Sequence, residues 1–466
     1  RRLPTRRRAT SMGAALGITL LSAMAPGAGF WWAGRKALGG AAMAGALVTL
    51  VGAALYLPHD LRGALDFAFD PGRLRTSSIL LAVLLVVWTL VVVLTFAMVR
   101  PLGQRRWVTA VGSVTVAVLI LGVAVPTAVA SRYARVQADF VHSVFDNNAS
   151  ATAPKHVEDA DPWGGRDRVN VLLLGGDGGP FREGVRTDSM ILVSIDTHTG
   201  RAVSFSLPRN MMDAPFPVGS PLHRVFPDGF TGPGDPGSWM LNAVYREVPA
   251  LYPHILGKSA DEGADAIKLA FQGATGLRVD YYVLIDFQGF EQMVNAIGGV
   301  TVNINQPIAV GGDTDTGTPP SRYLQPGPDQ HLNGFDALWY SRGRYGSDDY
   351  QRMDRQRCMI QAIAQKANPL NLLRNYQAVA KAGKELVRTD IPRALLPAFV
   401  DLGLKVKEHR LKSVVFRLSD SFNPGDPDFA YVHQTVARAL APHQPAHSPH
   451  PPAEDSKDAC AYHPVG

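Results

Sequence analysis

The first 131 residues alternate long apolar stretches with short basic ones. Four uncharged runs, Ala9–Gly34, Ala37–His59, Thr76–Val99 and Trp107–Ser131, each exceed the roughly 20 residues that carry a helix across hydrocarbon. Residues 1–131 therefore read as a membrane region with about four transmembrane helices. The third run is the most apolar, and the first, with Pro26 and several glycines, is the least regular. Arg100, Arg105 and Arg106 crowd the loop between runs three and four, while Arg1, Arg2, Arg6, Arg7 and Arg8 precede run one. Both groups favour the cytoplasmic side, and with four spans they make opposite demands, so charge alone leaves the orientation open.

Residues 132–168 read as a stalk, with a short helix at Tyr133–Phe145 and a polar linker after it. At Val169 the pattern becomes that of a soluble α/β domain. Val169–Leu174 is a short run of the buried-strand kind, closed by Gly175-Gly176-Asp177-Gly178-Gly179. Ser189–Asp196 and Ala202–Leu207 form a predicted hairpin around His198-Thr199-Gly200. Asp280–Phe287 and Gly299–Ile304 are further predicted strands, and Leu411–Leu418 the last. Helical periodicity marks Ala260–Thr275, Phe287–Ala296, Asp349–Ala367, Leu370–Val387 and Ile391–Val406. The Pro- and Gly-rich stretch Met211–Gly237 reads as a long surface loop. Residues 169–418 thus make the predicted globular domain. Residues 419–466 make a C-terminal tail, Pro- and His-rich and unstructured after Ala441.

Composition narrows the chemistry. Of 466 residues only 18% are charged, and the net charge of +6 is mild, which excludes a polycation but not a local anion site. Two cysteines exclude a disulfide scaffold and a cysteine-based zinc or iron–sulfur centre. The 13 histidines are scattered without metal-ligand spacing. No phosphate-binding P-loop, dinucleotide fingerprint, zinc-protease helix or serine-hydrolase elbow occurs in a fitting place. Nothing resembles a basic recognition helix, so no nucleic-acid partner is expected.

Five short segments combine Arg and Asp more densely than surface charge requires. Asp177 sits in a Gly-rich turn after a strand, where backbone N–H groups can approach a phosphate or hydrated metal, although taken alone it reads more simply as a plain Asp-Gly turn. Arg186-Thr187-Asp188 enters the next strand with Arg186 and Asp188 on one face, suited to a phosphate and a cation or to a simple ion pair. Arg209 ends the strand after that, near Arg186 if the strands are neighbours. Arg342 and Arg344, two residues apart, repel unless an anion or carboxylates lie between them. Asp349, Arg352 and Gln356 fall on one stripe of a helix, with Arg355 off it and expected to pack locally.

Taken in order, VNVLLLGGDGG, VRTDSMILVSIDTHTGRAVSFSLPRN, LNAVY and LNGFDALWYSRGRYGSDDYQRMDRQR resemble the LytR–CpsA–Psr family of cell-envelope proteins, over about Val169–Asn368. The resemblance implies N-terminal transmembrane helices followed by an extracytoplasmic α/β/α sandwich on a central mixed sheet. It implies a cell-membrane protein; the four apolar runs make this one multi-pass, more spans than the family's common single anchor but fitting its actinobacterial-type members. It further implies a phosphotransferase that uses Mg2+ (or Mn2+) and moves a glycopolymer of teichoic acid, capsule or arabinogalactan type from a polyprenyl-diphosphate carrier to peptidoglycan. By motif, Asp177 and Asp188 correspond to metal carboxylates. Arg186, Arg209, Arg342, Arg344 and Gln356 correspond to the diphosphate clamp, and Asp349 and Arg352 to the residues nearest the transfer step. Gly178-Gly179 stand where the family has a polar or basic residue and Asn210 where it has an acidic one, departures that bear on glycan preference. The lipid needs an apolar tunnel, expected between the sheet and helices such as Ile391–Val406. A disulfide between Cys358 and Cys460 is open, as is the alternative of two thiols. Two rival readings share the same residues: a pyrophosphatase that uses water as acceptor, and a membrane-bound regulatory protein that binds without turnover.

Overall fold

The computed structural model describes residues 7–145, 149–154, 161–176, 187–313, 317–366, 387–409, 411–441 and 460–463, in two compact units that meet at 139/140. The first unit is helical: α1 (Met12–Met24), α2 (Ala28–Trp32), α3 (Lys36–Tyr56), α4 (Leu61–Ala68), α5 (Pro71–Val99) and α6 (Arg106–Phe145). Three of these, α3, α5 and α6, are long and apolar enough to cross a membrane. The first apolar run does not make a fourth. Pro26 has no N–H to donate and Gly27 adopts a left-handed φ of 102°, so the run breaks into α1 of 13 residues and α2 of 5. The break leaves carbonyls at the end of α1, and Trp88 Nε1 of α5 donates to Ala23 O at 2.9 Å. The expected stalk helix is also not separate, because nothing between Ser131 and Phe145 interrupts helix geometry and α6 runs on for 40 residues.

Among the described residues the second unit has ten strands: β1 (Arg168–Gly176), β2 (Thr187–Asp196), β3 (Ala202–Ser206), β4 (Tyr281–Asp286), β5 (Val300–Ile304), β6 (Ile308–Asp313), β7 (Thr318–Leu324), β8 (Gly327–Leu332), β9 (Val387–Thr389) and β10 (Lys412–Val415). Its helices are α7 (Pro221–Val225), α8 (Val244–Leu251), α9 (Glu262–Thr275), α10 (Phe287–Ala296), α11 (Gly334–Arg342), α12 (Asp349–Lys366), α13 (Leu396–Lys407) and α14 (Phe429–Leu440). Six strands form one mixed sheet in the order β10-β3-β2-β1-β4-β9. β1 runs parallel to β4 and β3 to β10, while β1–β2, β2–β3 and β4–β9 are antiparallel. The β2–β3 turn needs Gly200, whose φ is +77° and whose added Cβ would meet Lys405 of α13 at 2.5 Å.

Side chains alternate across this sheet. Leu172, Leu174, Met190, Leu192, Tyr282 and Leu284 point to one face, into a large core closed by α8, α9 and α14. Met211–Phe230 sends most of its apolar side chains into that core, while Thr231–Pro236 lies on the surface as expected of the whole stretch. Met211, Phe216, Leu222, Phe226 and Phe230 are buried, and Phe226 and Phe230 pack at 5.3 Å between ring centroids. Proline and glycine shape the path of this segment, but its aromatics carry enough apolar surface to hold it inside. The opposite face carries α10 and α12, backed by a second, smaller core. Val294, Ile297, Val300, Val302, Tyr340 and Met359 meet there between the α10–α12 helices and the hairpin strands β5–β8. The helix expected at Leu370–Val387 lies outside the described residues except Val387, which opens β9.

Cys358 of α12 and Cys460 are joined in a disulfide, with Cα atoms 5.4 Å apart. The segment around Cys460 lies along β5. Asn303 Nδ2 donates to Cys460 O at 2.8 Å, and Asn305 Nδ2 donates to Ala461 O at 3.0 Å.

Candidate active site

The strand register puts several chain segments at one end of the main sheet. Gly176 at the end of β1 pairs with Thr187 at the start of β2 and with Asp286 at the end of β4. Ser206 at the end of β3 pairs with Val415 at the end of β10. The carboxyl ends of β1, β3, β4 and β10 therefore share an edge, the place where open α/β sheets receive ligands.

α12 lays its first turn against this edge. Asp348 Oδ1 accepts from Gln351 N at 2.7 Å, which satisfies one of the helix's orphan donors. Tyr350 Oη accepts from Leu418 N at 2.8 Å, and Arg417 pairs with Asp354, so the chain leaving β10 grips the same turn. Gln306 Nε2 donates to Gln351 Oε1 at 2.9 Å from the other side. The turn is thus held on three sides before any ligand arrives.

Asp349 is the focus of this turn. Its Oδ1 lies 2.7 Å from Arg352 Nη2 and 3.5 Å from Arg209 Nε. Arg352 is only 3% exposed, and Asp349 Oδ2 is buried with no hydrogen-bond partner among the described residues. One carboxylate oxygen is oriented by two guanidinium groups while the other makes no hydrogen bond among the described residues, an arrangement that suits a general base. Arg209 reaches the site because the chain continues past β3 into a bend fixed by Asn242 N donating to Arg209 O at 3.0 Å.

Arg355, off the stripe as expected, is structural. Its Nε donates to Tyr340 O at 2.7 Å and its Nη2 to Gly343 O, so it ties down the loop that joins α11 to α12. Burial lowers the pKa of its guanidinium below the ordinary arginine value and raises that of the Tyr340 phenol to about 12. Gly343 is required between the two arginines: an added Cβ would meet Ala309 O at 2.8 Å, where β6 passes the end of α11.

Next to the ion-pair cluster lies a cavity of about 330 Å³ between the sheet and α10, α11 and α12. Leu173, Ile191, Val283 and Ile285 of the sheet face Phe290, Met293, Met359 and Ile363 of the helices across it. The polar lining includes Asp286, Arg342 and Gln356. Gln356 Nε2 donates to Ser341 O at 3.2 Å, beside Arg342. The cavity lies between the sheet and helices, as a lipid tunnel was expected to. No residue of α13 lines it; Phe399 of α13 packs instead on Tyr281 at the start of β4, with ring centroids 5.6 Å apart.

The structure therefore brings Arg209, Asp349 and Arg352 into contact and sets Arg342 and Gln356 on the adjoining cavity. Arg344 is exposed on the α11–α12 loop. Asp177 and Arg186 lie outside the described residues, as does the side chain of Asp188, whose backbone belongs to β2. Among the described residues no group of three or more His, Cys, Asp or Glu is arranged to hold a metal ion. Sequence reasoning missed Asp286 and Phe287. Their signal was a strand passing directly into a helix, with Asp286 capping it through Gly289 N at 2.7 Å.

The model of the LytR_cpsA_psr family matches residues 136–440. A protein of Enterococcus faecalis named polyisoprenyl-teichoic acid–peptidoglycan teichoic acid transferase TagU is 28% identical over 48% of this chain and 62% of its own length. The chain thus spans under two thirds of that relative. A protein of the same name from Oceanobacillus iheyensis is 27% identical over 62% of this chain and 78% of its own. Among solved structures, TagV of B. subtilis covers 59% of this chain and 97% of its own at 22% identity, with a TM-score of 0.42. The family match takes in the whole main sheet, the cavity and the Asp349 cluster, and on it the chain belongs to the LytR_cpsA_psr family.

Proposed function

We propose that this protein is a membrane-anchored phosphotransferase that moves a glycopolymer from a polyprenyl-diphosphate carrier to peptidoglycan, with its second unit on the outer side of the membrane. The observation that carries the reading is the junction of two chemistries. An apolar cavity able to take the start of a lipid chain adjoins Arg342, Gln356 and the Arg209–Asp349–Arg352 cluster. The names of the relatives agree with that chemistry.

In this mechanism the lipid enters the cavity and its diphosphate rests against Arg342, Arg344 and Arg209, with Arg186 in the same clamp. A sugar hydroxyl of the acceptor attacks the phosphorus that carries the glycan. The new P–O bond joins glycan phosphate to acceptor, the bond to the lipid-side phosphate breaks, and polyprenyl phosphate leaves. Asp349 Oδ2 takes the hydroxyl proton, while Arg352 and Arg209 hold its carboxylate in place. Positioning and charge stabilisation supply most of the catalysis in phosphoryl transfer. The same reading assigns Mg2+ or Mn2+ to Asp177 and Asp188. A bound cation would offset the charge of the diphosphate.

The test uses the full chain in detergent micelles with Mg2+, a short polyprenyl-diphosphate glycan and peptidoglycan fragments, read by mass spectrometry. The expected product is a glycan–phosphate–peptidoglycan species that disappears in Arg342→Ala. Polyprenyl phosphate released together with free glycan phosphate would transfer the assignment to a pyrophosphatase. Lipid bound without any turnover would transfer it to a regulatory protein.

A further inference from the structure

Asp265 lies in the first turn of α9 and is fully buried. The helix does not need it as a cap, because Asp261 Oδ1 already accepts from Ala264 N at 3.0 Å. A buried carboxylate is costly unless hydrogen bonds replace its water. Among the described residues, every donor to this one comes from a single short stretch that follows α6. Ser150 Oγ and Thr152 Oγ1 each donate to Oδ1 at 2.5 Å, and Ala151 N donates to Oδ2 at 2.9 Å. Ser150 Oγ also accepts from Thr152 N at 3.2 Å and Ala153 N at 3.0 Å, which folds the stretch around its own hydroxyl. Beside it, Ala260 N donates to Ala149 O at 2.7 Å. The entry to β1 does not depend on this attachment, for it is fixed later in the chain. Trp163 packs edge-on against Phe399 of α13 with ring centroids 5.0 Å apart, and Arg166 pairs with Asp280.

We infer that Ser150–Thr152, bound to Asp265, is a strap that shortens the tether between the apolar helix α6 and the catalytic unit. The inference rests on the proposed function, since it matters only if the donor lipid lies in the membrane that α6 crosses. Ala149 is four positions after Phe145, the last residue of α6, so even an extended chain keeps the two within about 14 Å. With the strap released, the next anchored residue is Trp163, eighteen positions after Phe145, and that limit grows to about 60 Å. A shorter tether raises the effective concentration at which the unit meets a lipid in its own membrane, roughly as the −3/2 power of length. Eighteen positions against four therefore lower it by roughly 10-fold. A donor that arrives from water is indifferent to the tether. Asp265 is on this account a positioning residue that acts through the strap and touches no substrate.

The test uses the full chain in lipid nanodiscs with Mg2+ and peptidoglycan fragments. One donor is a disaccharide on a long polyprenyl diphosphate embedded in the same disc, and the other is that disaccharide on soluble farnesyl diphosphate. Asp265→Ala should lower kcat/KM for the embedded donor by roughly 10-fold and leave the soluble donor within about 2-fold. The Ala151 amide, protected from hydrogen exchange in wild type, should exchange in the variant. Two insertions leave the core untouched and decide the matter if Asp265→Ala fails to fold. Fourteen Gly and Ser residues between Asp146 and Asn147 lengthen the tether to the same eighteen positions, and should reproduce the loss with Asp265 intact. The same insertion between Pro154 and Lys155 falls beyond the strap and should change transfer from either donor by less than about 2-fold. Equal losses at both insertion points, or no loss at either, would overturn the inference and leave the proposed function standing. So would unchanged transfer from the embedded donor in Asp265→Ala once the Ala151 amide exchanges. Wild-type protein that transfers from neither donor would overturn both.

Discussion

Asp349 shows how much of this site depends on single atoms. Its Oδ1 is shared by two guanidinium groups, and its Oδ2 is left buried and unengaged among the described residues. Asp349→Asn keeps the shape and removes the proton acceptor. The expected result is a loss of transfer by about 10²–10⁴-fold, the usual contribution of a positioned general base, with lipid binding little changed. Transfer retained in that variant would remove Asp349 from the mechanism. Arg355 makes a different prediction. Among the described residues it donates to Tyr340 O, Gly343 O and Ser347 Oγ, so Arg355→Lys should lower thermal stability and weaken diphosphate binding together, through the loop that carries Arg342 and Arg344. A binding loss without a stability loss would mean that Arg355 meets the substrate itself.

At the scale of elements, a buried pair ties the sheet to α9. Lys268 Nζ lies 2.5 Å from Asp390 Oδ2 and donates to Asp280 O at 3.0 Å, and Tyr282 N donates to Asp390 Oδ1 at 2.7 Å. Burial raises the pKa of Asp390, and Lys268 opposes that rise. Lys268→Met removes the opposing charge and leaves a carboxylate in the core, a change that typically costs about 3–5 kcal/mol. The sign follows from linkage. The folded carboxyl then titrates above the unfolded one, so the unfolded state releases its proton first as pH rises. Stability of the variant should therefore recover as pH falls from that raised folded pKa toward the ordinary aspartate range. Adding Asp390→Asn, which keeps the acceptor for Tyr282 N, should restore most of the loss at neutral pH. Denaturant unfolding at pH 7 and at mildly acidic pH checks both outcomes.

For the whole molecule, the disulfide joins residues 102 apart in sequence and fastens the chain's end to α12, the helix that carries Asp349, Arg352 and Gln356. Closing so long a loop restricts the unfolded chain by about 4–5 kcal/mol in the entropic account. Cys460→Ser should lower the unfolding midpoint of the second unit by a corresponding amount, with a similar shift when wild type is reduced. An unchanged midpoint would mean that the segment around Cys460 is held by Asn303 and Asn305 alone. The helical unit has its own prediction. Full-length protein should stay with membranes through an alkaline carbonate wash, as expected of helices that cross the bilayer and unlike one held by surface charge.

The order of elements, the apolar character of the N-terminal unit and the Arg/Asp segments were legible along the chain, because backbone periodicity and charge are local properties. Asp280–Phe287 and Phe287–Ala296 could be read as strand then helix on that basis, and the stripe of Asp349, Arg352 and Gln356 follows from helix geometry alone. Partnership is not local. Only the sheet register brings the end of β3, and so Arg209, to the first turn of α12, 140 positions along. Pro26 could be seen as an irregularity, but that it ends the helix depends on Trp88 being there to take up the freed carbonyl. Met211–Gly237 looked like surface until its aromatics had a core to enter, and the cavity belongs to no segment at all. It exists because one face of the sheet meets α10, α11 and α12 across a gap that their side chains do not fill, and its lining is drawn from segments as far apart as Leu173 and Ala364.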